Sequence, residues 1–84
     1  MVYYLILCRS LTHAQRTASA LERAGIVGHI LRSHQAIAGE GCGYSVKVSE
    51  QNLANALAAL KRAGLGPKRV FVTTSDGSYK EVLL

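Results

Sequence analysis

The chain has 84 residues, 49% of them hydrophobic, and its ten Lys and Arg against five Asp and Glu give a formal charge of +5. A chain this short makes one domain, 1–84, and buries only roughly 60–65% of its unfolded surface, which excludes an enclosed active-site chamber and leaves function to the exterior. The apolar content excludes intrinsic disorder, the charge favours anionic partners, and the longest apolar run, Val2–Cys8, is too short to span a bilayer.

That run, Val2-Tyr-Tyr-Leu-Ile-Leu-Cys8, is aromatic and aliphatic throughout and predicts a central strand. It has no basic leader and no small-residue cleavage site, so the expected location is the cytoplasm, with no membrane partner. Thr12 and Gln15 match a Thr-x-x-Gln capping box and open a helix. Ala14, Ala18, Leu21 and Ala24 form its stripe and Gly25 its stop. Val27–Arg32 predicts a second strand and 33–42 a loop. Tyr44, Val46 and Val48 alternate with Ser45, Lys47 and Ser49 in a third strand. Ser49 caps a second helix with the stripe Leu53, Ala56, Leu57 and Leu60, closed by Gly64. Pro67 punctuates, and Arg69–Thr74 predicts a fourth strand. Asp76-Gly77 is a hairpin signal, folding Ser78–Leu83 back as a fifth, edge strand.

Two heptapeptides echo each other, ALERAGI at 20–26 and ALKRAGL at 59–65, each ending a helix and preceding a strand. Convergence on a common helix ending would explain the words alone. The element order repeats with them, however, and gives βαββαβ. With right-handed crossovers this order is the ferredoxin-like sandwich of the α+β class, here with an extra C-terminal edge strand. In that topology the first and second strands run the same way, with the third between them. The turn after strand one, the loop before strand three and the turn before strand four therefore share one end of the sheet. Cys8, Arg9, Ser10, Thr12, His13, His34, Cys42, Lys68 and Arg69 are expected there.

The loop holds the most reactive candidate. Residues 38–45 read AGEGCGYS, placing Cys42 between Gly41 and Gly43. A structural thiol belongs among apolar neighbours; glycines instead admit close approach of a partner and permit positive φ. A helix N-terminus and cationic side chains both favour thiolate over thiol, and the thiolate is the nucleophile. Cys42 is thus the candidate nucleophile, supported by Gly41, Gly43, Arg9, Ser10, Thr12, His13 and His34. Cys8 ends a buried strand and reads as core, while its expected nearness to Cys42 makes it a candidate resolving thiol. The chain has no Cys-x-x-Cys, and the Cys and His spacings match no zinc pattern, so neither metal nor cofactor is expected. His29, inside a strand, reads as structural. Gly39-x-Gly41-x-Gly43 enters a strand and not a helix, which argues against a phosphate loop. No Ser/His/Asp set is apparent.

The first strand, Ser10-Leu-Thr12 entering a helix, ALERAGI, and a loop carrying Cys42-Gly43 into the next strand together resemble the Se/S carrier-like family of small bacterial proteins. The resemblance covers roughly residues 3–74. The Pro-Arg pair usual upstream of that family's cysteine is absent here, where the loop reads Ser33-His34-Gln35-Ala36-Ile37-Ala38. The resemblance implies that Cys42 carries a persulfide or selenide between donor and acceptor proteins, and that the chain is not a stand-alone enzyme. A second reading is a regulatory or oligomerisation module, since a strand apolar on both faces would leave one side for a homodimer to cover. RNA binding is a third and weaker reading: Tyr3, Tyr4, Tyr44 and Phe71 do not form a recognition motif, and the basic residues are scattered without a dense run.

Overall fold

The computed structural model describes residues 2–32, 43–67, 69–73 and 78–82. Strand β1 (Tyr3–Cys8) leads into helix α1 (Leu11–Arg23), then β2 (His29–Arg32) and β3 (Tyr44–Ser49). A 3-10 turn (Glu50–Asn52) precedes helix α2 (Leu53–Arg62), followed by β4 (Val70–Thr73) and β5 (Tyr79–Val82). The sheet has five strands in the order β2-β3-β1-β4-β5, with every neighbouring pair antiparallel. β1 and β2 therefore run the same way with β3 between them, as the expected topology requires. This α+β arrangement is compatible with a ferredoxin-like fold. Its strand order is not that of a simple four-stranded unit, because β5 lies outside β4.

The first helix starts from a different cap than the capping box predicts. Ser10 is extended (φ −151°, ψ 167°), and its Oγ accepts a hydrogen bond from the His13 N–H at 3.1 Å. Thr12 instead lies exposed in the first turn. Ser49 does precede the second helical segment, but its hydroxyl caps no backbone N–H; it accepts from Asn52 Nδ2 at 3.0 Å while 50–52 winds as 3-10. The second strand begins at His29 and not at Val27, because its ladder with β3 starts at His29 opposite Lys47.

The repeated heptapeptide has a concrete meaning. Gly25 (φ +79°) and Gly64 (φ +74°) take the left-handed conformation that glycine adopts without cost. The N–H of Gly25 donates to Glu22 O, and that of Ile26 to Leu21 O, each at 2.9 Å. Gly64 donates to Lys61 O at 3.2 Å and Leu65 to Leu60 O at 2.8 Å. Both helices thus end in the same Schellman motif, which satisfies carbonyls the helix leaves unpaired.

The helices cover one face of the sheet. Alternation sends Ile6 and Cys8 of β1, Val46 and Val48 of β3, and Val70 of β4 against Ala14, Leu21, Ala56 and Leu60. Each of the larger side chains contributes roughly 1.5–3 kcal/mol by leaving water. The opposite face holds Leu5 and Phe71, each only 6% exposed, with Leu7 and Tyr79 packed against them. The Arg69 guanidinium lies 5.0 Å from the centroid of the Phe71 ring, and Lys47 Nζ lies 4.2 Å from that of Tyr3. The sheet therefore shields much of its own open face, contrary to the expectation of a bare apolar surface on β1. The exposed large apolar residues are Leu11, Val27, Ile30 and Leu31, three of them on or beside β2. Among the described residues no helix is long and apolar enough to cross a membrane.

Candidate functional site

The sheet end where β1 stops assembles from four strands and one helix start. Register places Arg32, Tyr44 and Cys8 in one row across β2, β3 and β1. The Leu7 N–H donates to Arg69 O at 3.1 Å, which brings the start of β4 alongside. Directly after Cys8, the Arg9 N–H donates to His13 Nδ1 at 3.4 Å. The Ser10 carbonyl accepts the Ala14 N–H at 3.0 Å. The first turn of α1 contains no acidic residue, leaving the positive end of the helix dipole uncompensated on its own element.

This end thus gathers Cys8, Arg9, Ser10, Thr12, His13 and Arg69 of the residues the topology argument placed there, and Gly43 stands at it just before β3. Cys42, Gly41, His34 and Lys68 lie outside the described residues. Arg69 contributes less positive charge than its type implies. Its Nη2 meets Glu81 Oε1 at 3.0 Å and its Nε meets Oε2 at 3.2 Å. The bidentate bond and the opposite charge hold the Glu81 carboxyl below its usual range and raise Arg69. Both side chains are exposed, so the pair is screened and adds little stability. Arg9 and Arg32 are exposed cations at this end.

Cys8 takes the core position. Its residue is 2% exposed, and its Sγ lies 3.6 Å from Ile6 O and 3.8 Å from Thr17 Oγ1. Burial pushes the thiol above its usual range, and the Thr17 contact offsets part of that rise. A buried neutral thiol is a poor nucleophile, which favours packing over a resolving role. Thr17 itself escaped the sequence reading, which ran the α1 stripe through Ala18. The signal was available: Thr17 stands three residues after Ala14 and four before Leu21, and these three are the buried residues of α1.

A second feature was also missed. At the opposite end of the sheet a cavity of about 230 Å³ is lined by Tyr3, Val27, His29, Lys47, Val48, Ser49 and Asn52. His29, expected to be structural, is exposed at its rim. Among the described residues no group of three or more His, Cys, Asp and Glu gathers as a metal site.

The family model described as "Putative Se/S carrier protein-like" matches residues 3–72, most of the chain and the whole span from β1 into β4. The chain belongs to that family. Neither the search of curated proteins nor that of solved structures gave a match. The span matched to the Se/S carrier-like family includes the cysteine at position 42.

Proposed function

We propose that this Se/S carrier-like protein is a carrier and not a stand-alone enzyme, using Cys42 as the atom that accepts and delivers sulfur or selenium. The observation that carries the reading is the family match across residues 3–72, which takes in Gly41-Cys42-Gly43. It is supported by the acid-free helix start and the exposed Arg9 and Arg32 at the end of the sheet where β3 begins. Cys42 is joined to that end through Gly43 alone. The finer reading of the fold as a ferredoxin-like sandwich with an added edge strand belongs to the same proposal.

The transfer needs no cofactor. The Cys42 thiolate attacks the terminal sulfur of a donor persulfide, R–S–SH. A new S–S bond forms as the donor's S–S bond breaks, and the donor cysteine leaves as a thiolate. Cys42 then carries –S–SH, and an acceptor's nucleophile takes the outer sulfur by the same exchange in reverse. Redox state is conserved in each step. An electropositive surrounding assists by stabilising the attacking thiolate.

The test is incubation with a cysteine desulfurase and cysteine, followed by intact and peptide mass spectrometry. One added sulfur on the peptide containing Cys42, absent after Cys42→Ser, is expected. An equal adduct in the Cys42→Ser protein, or none in the parent, overturns the reading. Alkylation rate against pH gives a second measure: the midpoint for Cys42 is expected below ~8.5, the value of an unperturbed thiol.

The alternative is a regulatory or oligomerisation module without chemistry. Exposed Val27, Ile30 and Leu31 around one edge of the sheet favour it.

A further inference from the structure

The two edges of the sheet are built differently. β5 reads Tyr79-Lys80-Glu81-Val82 and presents both signs of charge, with Glu81 held by Arg69. Edges of this kind resist added strands, since a charged margin disfavours pairing with another chain. β2 reads His29-Ile30-Leu31-Arg32, is exposed at all four positions, and has a described neighbour, β3, on one side only. It contains no proline, no lysine and no acid. Ile30 and Leu31 are 37% and 41% exposed, and Val27 just before them is 67% exposed.

Charge along this edge has one sign. β2 supplies Arg32, β3 supplies Lys47 opposite His29, and neither strand contains a carboxylate. His29 and Lys47 share the open face of the sheet by register, and both line the 230 Å³ cavity at the start of β2. The remaining polar lining consists of Tyr3, Ser49 and Asn52, with the Asn52 amide fixed by its 3.0 Å bond to Ser49 Oγ. The cavity thus offers an ammonium, an imidazole and an amide, and no lining residue is acidic.

We infer that the β2 edge is a docking site for an extended, acidic segment of a partner protein. The segment joins the sheet beside β2 and places a carboxylate side chain in the cavity against Lys47 and His29. Backbone pairing along the edge supplies affinity, and the charged pocket sets which sequence is accepted. A second copy of this chain is the poorer occupant. Antiparallel pairing of two β2 edges brings together only His29, Ile30, Leu31 and Arg32 of each copy and offers no carboxylate to the Lys47 ammonium. The inference is independent of any chemistry at Cys42.

Titration of the isotopically labelled protein with two capped heptapeptides tests it, one alternating valine with glutamate and the other valine with lysine. With the glutamate peptide, amide shifts are expected at His29–Arg32 and Lys47, with hydrogen exchange of outward-facing β2 amides slowed at least tenfold. Lys47→Glu should weaken that peptide at least tenfold and admit the lysine peptide. Leu31→Glu, at an exposed position on the face that carries His29 and Lys47, should weaken the glutamate peptide and leave the fold intact, and Cys42→Ser should change nothing. Equal response to both peptides, shifts away from β2, or unchanged affinity in Lys47→Glu overturns the inference. Identical β2 shifts with polyuridylate RNA would make the edge a general polyanion surface. Concentration-dependent β2 shifts without peptide would name a second copy as the occupant. Either result also overturns it.

Discussion

Cys8 shows how little residue type alone decides. Both cysteines of the chain are candidates for chemistry on paper, yet Cys8 is shut between Ile6 and Thr17 with its thiol held above its usual range by burial. The consequence for stability has a definite sign. As pH rises past the unfolded thiol's pKa, the unfolded chain sheds a proton that the folded chain retains, so stability is full below that pH and is lost above it. In a Cys42→Ser background, the melting temperature is expected to fall less steeply between pH 8 and pH 10 after Cys8→Ala than before it. Parallel curves would show that the thiol does not titrate differently on folding. Cys8 was legible as core because it ends an unbroken apolar strand. Thr17 was not, because a hydroxyl inside a helix reads as surface until a buried partner such as the Cys8 sulfur is found for it.

Among the elements, the helix ends were more legible than the helix beginnings. ALERAGI and ALKRAGL specify their motif locally, since the left-handed residue must be glycine and the residues on either side must reach back over one turn. Gly25→Ala and Gly64→Ala are each expected to cost about 1–2 kcal/mol in chemical denaturation, the left-handed penalty alone, because an added Cβ meets nothing within 4 Å at either site. Gly28→Ala should cost about 1–3 kcal/mol for a different reason. Its Cβ would stand 2.8 Å from Val46 Cγ1 and 3.0 Å from Leu21 Cδ1, where the chain passes close over the core. Near-zero values at Gly25 and Gly64 would remove the role given to the repeat. The helix start was misread because Thr12 and Gln15 satisfy the same local pattern as a true cap. The choice is made elsewhere: β1 pairs as far as Cys8, leaving Arg9 and Ser10 as the whole turn, and Ser10 takes the cap. β5 was foreshadowed by Asp76-Gly77, whose own geometry lies outside the described residues.

At the scale of the whole molecule, the strand order followed from the alternation of elements, and with it the gathering of Arg9, Ser10, His13 and Arg69 at one end. The chemistry of Gly41-Cys42-Gly43 was legible as composition, while its placement rests on a segment outside the described residues. The open face was misjudged because β1 reads as bare on that side until Leu5 is packed with Phe71, Leu7 and Tyr79, with the Arg69 guanidinium near the Phe71 ring and the Lys47 ammonium near that of Tyr3. Sedimentation equilibrium separates the carrier reading from the oligomerisation reading. A single mass of one chain, unchanged by Leu31→Lys, is expected for the carrier. A dimer that this substitution dissolves would favour the module. The unequal margins of the sheet also bear on how the protein behaves when crowded. Runaway polymerisation needs a receptive border at each side of the unit, so that every arrival offers a fresh landing place. On the inference above, the β2 border accepts a strand while the mixed charges of β5 disfavour one, so strand addition is expected to stop at one and not to propagate into fibres.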